Sequence, residues 1–266
     1  MIFYFILFTS VFVAASSVAV YGFIDKWYWP WLAILIFTSI FALCVLAFLA
    51  YCTLLSFFVD INRPLKKQSR YFYHLLSQVA YLLMRILRIK IHFSGKEYMP
   101  EDSKFLFVCN HLAWIDPGVA LIYFKKHHLS FVSKKETFSY PIANKFLYKT
   151  ACLAIDREND REALKTINKA AEYIQNGVCS IGIYPEGWVS KSGELLEFRH
   201  GAFRIAKKAG CPIIVAHLSG TDYALKKPFW KKCDVYFEIK GVVPVEYIRE
   251  HKTAEISGLA REIMIK

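Results

Sequence analysis

A histidine and an aspartate stand five residues apart in Asn110-His111-Leu112-Ala113-Trp114-Ile115-Asp116-Pro117, directly after an apolar run. A second apolar run ends in Tyr184-Pro185-Glu186-Gly187. Imidazole changes charge near neutral pH, and one that reaches a carboxylate can take a proton from a hydroxyl. A spacing of five puts His111 and Asp116 on different faces of a regular helix, and Pro117 pushes Asp116 away from helical geometry. The pair must therefore close across a loop. His111 is expected just after a strand, with Asp116 near the cap of a helix that starts at Pro117. Taken singly, Asp116 also reads as a plain N-cap, and Glu186 as a group bonding its own turn.

The elements that must position these residues alternate. Strands are expected at Lys90–Ser94, Phe105–Cys109, Leu129–Ser133, Ser180–Tyr184, Ile213–Leu218 and Val235–Ile239. Helices are expected at 117–126, 141–149, 160–176 and 200–209, with Gly177 and Gly210 ending the last two. This alternation predicts an α/β domain with a largely buried mixed sheet flanked by helices. Ligands of such sheets gather where strands run out into loops, and both motifs sit at strand ends. Lys134-Lys135-Glu136 follows a third strand, and Arg199-His200-Gly201 opens a helix, where free N–H groups favour an anion. Residues 246–266 read as a mixed helical tail.

The 266 residues are 55% hydrophobic yet carry a formal net charge of +12. Residues 1–60 hold only Asp25, Lys26 and Asp60 as charged groups, a net of −1, so residues 61–266 carry +13. Met1–Ile24 and Trp27–Val59 are uncharged, each longer than the roughly 20 residues needed to cross a bilayer core. Between and beside them, Asp25-Lys26-Trp27-Tyr28-Trp29-Pro30-Trp31 suits a membrane–water interface. The expected organisation is a two-helix membrane anchor over 1–60 and an α/β domain over 61–266, with an interfacial helix at 71–88. Arg63, Lys66, Lys67 and Arg70 after the second segment predict an integral membrane protein with its body on the cytoplasmic face. The basic body suits anionic lipid or a phosphate-bearing substrate. No zinc finger, helix-turn-helix or RNA-binding signature appears, so no nucleic-acid partner is expected. Seven cysteines without CxxC spacing predict neither disulfide nor metal.

The ordered set Asn-His-x-x-x-x-Asp, Lys-x-Glu, Pro-Glu-Gly and Cys211-Pro212-Ile213-Ile214 resembles the four blocks of the PlsC-like glycerolipid acyltransferases, over residues 70–245. Ile155-Asp156-Arg157 and Phe198-Arg199-His200-Gly201-Ala202-Phe203 resemble the same family between its blocks. The resemblance implies a glycerol-3-phosphate acyltransferase-like fold. It also implies that His111 is the general base, supported by Asp116, that Glu186 and Gly187 help bind the acceptor, and that Pro212 helps shape the acyl site. The family's third block usually continues Thr-Arg-Ser, its arginine linked to the acceptor phosphate, whereas here Trp188-Val189-Ser190 stands. Lys134, Arg157, Arg199 or Lys191 is the candidate replacement charge, and Asn110 completes the candidate substrate-binding set.

The resulting expectation is acyl transfer from an acyl-carrier protein or acyl-CoA thioester to a lysophospholipid in the membrane, with 1-acyl-glycerol-3-phosphate as the expected acceptor. No cofactor is expected. Three other readings stay open: a different lysolipid acceptor, a lipid or thioester hydrolase, and a non-catalytic lipid-binding membrane protein.

Overall fold

The structure, a computed structural model, describes residues 2–21, 28–101, 103–190, 192–228 and 230–266. They fall into two compact units, Met1–Asp60 and Ile61–Lys266. The first unit is two helices packed on each other, α1 (Ile2–Tyr21) and α2 (Trp29–Phe57), the second opened by Pro30 in its first turn. The hydroxyls of Ser10, Thr38 and Thr53 each donate to a carbonyl one turn back, so these polar groups are satisfied within their own helices. Phe8, Phe12, Leu35 and Leu43 point outward. Pro30–Phe57, 28 residues whose most apolar 18-residue window has a mean hydropathy of 2.9, is the one helix among the described residues long and apolar enough to cross a membrane. At 1.5 Å per residue it extends about 42 Å, against about 30 Å of bilayer hydrocarbon. The apolar stretch described in α1, Ile6–Ser17, is shorter. Asp25, Lys26 and Trp27 of the expected interface segment lie outside the described residues.

The second unit is built on seven strands: β1 (Ile89–Ser94), β2 (Leu106–Cys109), β3 (Ser130–Lys134), β4 (Leu153–Ile155), β5 (Ile181–Ile183), β6 (Ile213–Ser219) and β7 (Cys233–Val243). Their order in the sheet is β1-β7-β6-β2-β5-β3-β4. Every pair is parallel except β6 with β7. The carboxyl ends of β6, β2, β5, β3 and β4 therefore lie along one edge. The antiparallel β7 begins at that same edge, since Ser219 pairs with Tyr236, and β1 runs alongside β7.

Both faces of the central strands are covered, which is why they read as unbroken apolar runs. Leu106 and Val108 join a core with α6 (Asp160–Gln175), α7 (Arg204–Ala209) and α10 (Thr253–Ile265). Phe107 and Cys109 join the core on the other face, with α3 (Arg70–Ile86) and α4 (Asp116–Tyr123). Helix α3 covers most of the segment expected at the interface. Ser69 caps it, and its buried face, with Tyr73, Leu75 and Met84, docks onto α4 and β1. Asn159 caps α6 by accepting from the Arg161 and Glu162 amides. Gly177 and Gly210 follow their helices at φ +66° and +64°, a conformation that costs glycine little.

Two elements go beyond the sequence pattern. The short strand β4 follows α5 (Pro141–Lys149), and the helix α8 (Thr221–Lys226) joins β6 to β7. The tail is two helices, α9 (Val245–Glu250) and α10, and α10 buries Ile256, Ala260 and Met264 over β6 and β7. The last expected helix begins with a 3-10 turn, His200–Phe203, before α7.

Candidate active site

The loop after β2 brings His111 and Asp116 together. Pro117 sits in the first turn of α4, and Asp116 opens that helix with its side chain turned back over the preceding loop. Its Oδ2 accepts from His111 Nδ1 at 2.8 Å, from the Leu112 amide at 2.7 Å and from the Ala113 amide at 2.8 Å. The aspartate thus caps no later amide but closes its own loop around the histidine. A carboxylate can only accept, so His111 carries its proton on Nδ1 and presents a bare Nε2. The Asp116 side chain is 0% exposed and that of His111 14%. Asp116 Oδ1 is buried with no partner among the described residues.

A stack of rings sets the imidazole plane. His111 lies on Tyr184 with centroids 4.2 Å apart, and Tyr184 lies on Phe131 at 5.7 Å and 7°. Phe131 in turn lies over Gly182, its register partner across β3 and β5. A Cβ at position 182 would sit 2.5 Å from that ring, so the stack requires glycine there. Burial, and then the nearby charge of Asp116, hold the Tyr184 phenol well above its ordinary pKa, so it stays neutral.

Glu186 ties the site's loops to one another. Its Oε1 accepts from the His111 amide at 2.7 Å and its Oε2 from the Leu196 amide at 2.9 Å. The Ser190 amide completes the tie by donating to the His111 carbonyl at 2.8 Å. Burial raises the Glu186 pKa above its ordinary value, against the lowering effect of the Leu196 and His111 amides. The carboxylate expected to help bind an acceptor is thus occupied by backbone on both oxygens.

Two cations gather at the turn that follows. Gly187 has φ +76°, and a Cβ there would meet Arg199 Nε at 2.9 Å, so the arginine lies across the turn. The Arg199 amide donates to the Pro185 carbonyl, which fixes its backbone there. Arg157, at the end of β4, holds its guanidinium 5.2 Å from the centroid of the Trp188 ring. Burial, and then the positive charge of Arg199, lower the Arg157 pKa, with Glu136 opposing them. Arginine stays charged under such shifts, so the turn carries two neighbouring positive charges.

The remaining expected residues stand differently. Asn110 is buried and turned into the sheet: its Nδ2 donates to the Leu218 carbonyl at 2.8 Å and its Oδ1 accepts from the Leu218 amide at 2.7 Å. It clamps the end of β2 to β6, with both ends of its amide engaged by Leu218. Lys134 is exposed at the end of β3, beside Lys135, which pairs with Asp156 at 2.7 Å. Lys191 lies outside the described residues. Pro212 is the clear departure. Its carbonyl accepts from the amide of Leu106, the first residue of β2, so it sits at the edge of the sheet opposite His111. Because β6 runs parallel to β2, a residue at the start of β6 cannot reach the site edge. The expectations missed Tyr184, Phe131 and Gly182, although Tyr184 directly precedes Pro185 and is the one available signal.

The comparisons with known proteins agree with this architecture. Residues 90–219 match the family model described as "Acyltransferase". A 1-acyl-sn-glycerol-3-phosphate acyltransferase of Cocos nucifera is 31% identical over 146 residues, covering 55% of this chain and 46% of that protein. The chain thus spans about half the length of that relative. Enzymes of the same name from Borreliella burgdorferi and Haemophilus influenzae are each 27% identical, over 67% and 63% of this chain and 71% of their own. The crystal structure of the 1-acyl-sn-glycerophosphate acyltransferase PlsC from Thermotoga maritima superposes with a TM-score of 0.63 at 22% identity, over 82% of this chain and 85% of that one. That likeness shows a shared fold.

Proposed function

We propose that this chain is a membrane-anchored O-acyltransferase that moves a fatty acyl group from a thioester to the free hydroxyl of 1-acyl-glycerol-3-phosphate. The observation that carries the reading is the bond from His111 Nδ1 to Asp116 Oδ2, which leaves Nε2 as the base beside a fully buried carboxylate. In the reaction, Nε2 accepts the hydroxyl proton as the acceptor oxygen attacks the thioester carbonyl. Asp116 stabilises the imidazolium that forms. The C–S bond then breaks and the departing thiolate takes the proton from Nε2. The products are phosphatidic acid and a free thiol, with no acylated residue and no cofactor in the balance. Glu186 acts as a positioning residue, because its carboxylate holds the His111 backbone in place.

Arg157 and Arg199 are the proposed seat of the acceptor phosphate. They supply the cation absent at Val189, and the names of the relatives support a phosphate-bearing acceptor. The donor is an acyl-carrier protein or acyl-CoA thioester. Helix α2 is the proposed membrane span, and Arg63, Lys66, Lys67 and Arg70 beyond it favour a cytoplasmic body. The test supplies the purified chain with radiolabelled acyl thioester, with and without lysophosphatidic acid. Label in phosphatidic acid only when the acceptor is present supports acyl transfer. Equal release of free fatty acid in both samples points to a hydrolase, and no turnover to a binding protein.

A further inference from the structure

The unit spanning residues 61–266 has three tryptophans, Trp114, Trp188 and Trp230. Their exposures are 64%, 58% and 61%. Tryptophan is among the most buried residue types on average, so one exposed indole is unremarked but three of three is a pattern. They are far apart in sequence, yet all three stand on one edge of the sheet. Trp114 lies in the loop that leaves the carboxyl end of β2, and Trp188 in the loop that leaves β5. Trp230 lies between α8, which follows the carboxyl end of β6, and the first residue of β7, which starts at the same edge. That edge is the one at which His111 opens.

The Trp230 loop is strongly basic. From 226 to 232 it contains four lysines and no acid. Lys227 is buried and donates to the carbonyls of Leu87 and Lys231 at 2.8 and 2.6 Å, which pins the loop to the end of α3. Lys231 and Lys232 remain exposed, and Arg88 is exposed beside them, its carbonyl accepting from the Cys233 amide. Exposed indoles between exposed cations are the composition of a surface that meets lipid headgroups: the rings enter the headgroup layer and the cations pair with anionic lipid.

We infer that the edge carrying Trp114, Trp188 and Trp230 is a second membrane-binding element, by which the α/β unit itself docks onto an anionic bilayer. Docked in this way, the mouth of the His111 site faces the headgroup layer, and a lipid acceptor enters sideways without leaving the membrane. The inference concerns contact with lipid and does not depend on which reaction the site performs.

The test is tryptophan fluorescence of the full chain reconstituted in vesicles. In a W27F/W29F/W31F variant all remaining indoles belong to the proposed surface. With phosphatidylglycerol-containing vesicles whose acyl chains are brominated near the headgroup, the emission of this variant should fall by about half and shift to the blue. Adding K231E/K232E should weaken the quenching severalfold, as should vesicles of pure phosphatidylcholine. The converse variant, W114F/W188F/W230F, supplies a second reading: the quenching it loses relative to the unaltered chain must equal that assigned to the surface. Equal emission of the first variant in brominated and ordinary lipid overturns the proposal. Quenching that is indifferent to anionic lipid and to Lys231 and Lys232 overturns its anionic character.

Discussion

Replacing Asp116 by asparagine separates charge from geometry in this site. The carboxylate Oδ2 gathers three donors, His111 Nδ1 and the amides of Leu112 and Ala113, while Oδ1 is buried without a described partner. The asparagine oxygen must take the Oδ2 position, because an NH2 there would face three N–H groups. The loop and the imidazole tautomer are then retained, and only the negative charge is lost. With the bond at 2.8 Å, the charge centres of a carboxylate and an imidazolium lie roughly 4 Å apart. At that distance the attraction is about 4 kcal/mol at an effective dielectric constant of about 20. The charge on His111 exists only once the proton has moved, so the loss falls on the transition state, about 10³-fold in kcat. The amide NH2 enters the Oδ1 position without an acceptor, which costs about 1–3 kcal/mol of stability. Steady-state kinetics with lysophosphatidic acid in vesicles should show kcat reduced by about three decades, with both KM values within about twofold of wild type. Thermal unfolding should fall by about 2–4 °C per kcal/mol lost. A folded Asp116→Asn protein within tenfold of wild-type kcat would refute this reasoning.

The other predictions follow from the same contacts. Arg199→Ala should raise the KM for lysophosphatidic acid, and a charge-assisted bond of about 1.5–3 kcal/mol makes the loss in kcat/KM about tenfold or more; an unchanged acceptor KM would remove Arg199 from the phosphate site. Glu186→Gln should lower kcat more than it raises the acceptor KM. Its NH2 leaves one backbone amide, His111 or Leu196, without an acceptor, for about 1–3 kcal/mol of stability. The Glu186 pKa is raised by burial, so as pH climbs above the ordinary carboxylate value of about 4.3 the unfolded chain ionises first and the wild type loses stability. Melting curves across that range should therefore show the wild-type advantage over Glu186→Gln shrinking as pH rises, and an advantage that grows would contradict the assignment. The chain should also resist carbonate extraction, with its body digested only by protease on the cytoplasmic side.

The His111–Asp116 pair was legible because its signal is local: five residues, a proline that forbids helix continuation, and an apolar strand before them. The parallel strands were legible for a similar reason, since burial on both faces leaves uninterrupted apolar runs such as Phe105–Cys109. The ring stack behind His111 was not. It depends on β3 and β5 being neighbours, which sets Phe131 over Gly182, and strand order leaves no trace in a local pattern. Asn110 and Glu186 lie in the right motifs, yet which groups their polar atoms meet is settled by β6 and by the segment around Leu196. Pro212 shows the same limit, because its distance from the site follows from the direction of β6 relative to β2. Three-residue β4 is too short to carry a period, and α8 at six residues hides between two strands.

The central claim is that His111 Nε2 removes the acceptor's proton. The most direct test is production of phosphatidic acid by purified His111→Ala protein, with melting temperature and vesicle association measured on the same preparation. General-base catalysis is worth about 10²–10⁴-fold, so turnover should fall by that factor while fold and membrane association are kept. Near-normal turnover by the folded variant would contradict the account.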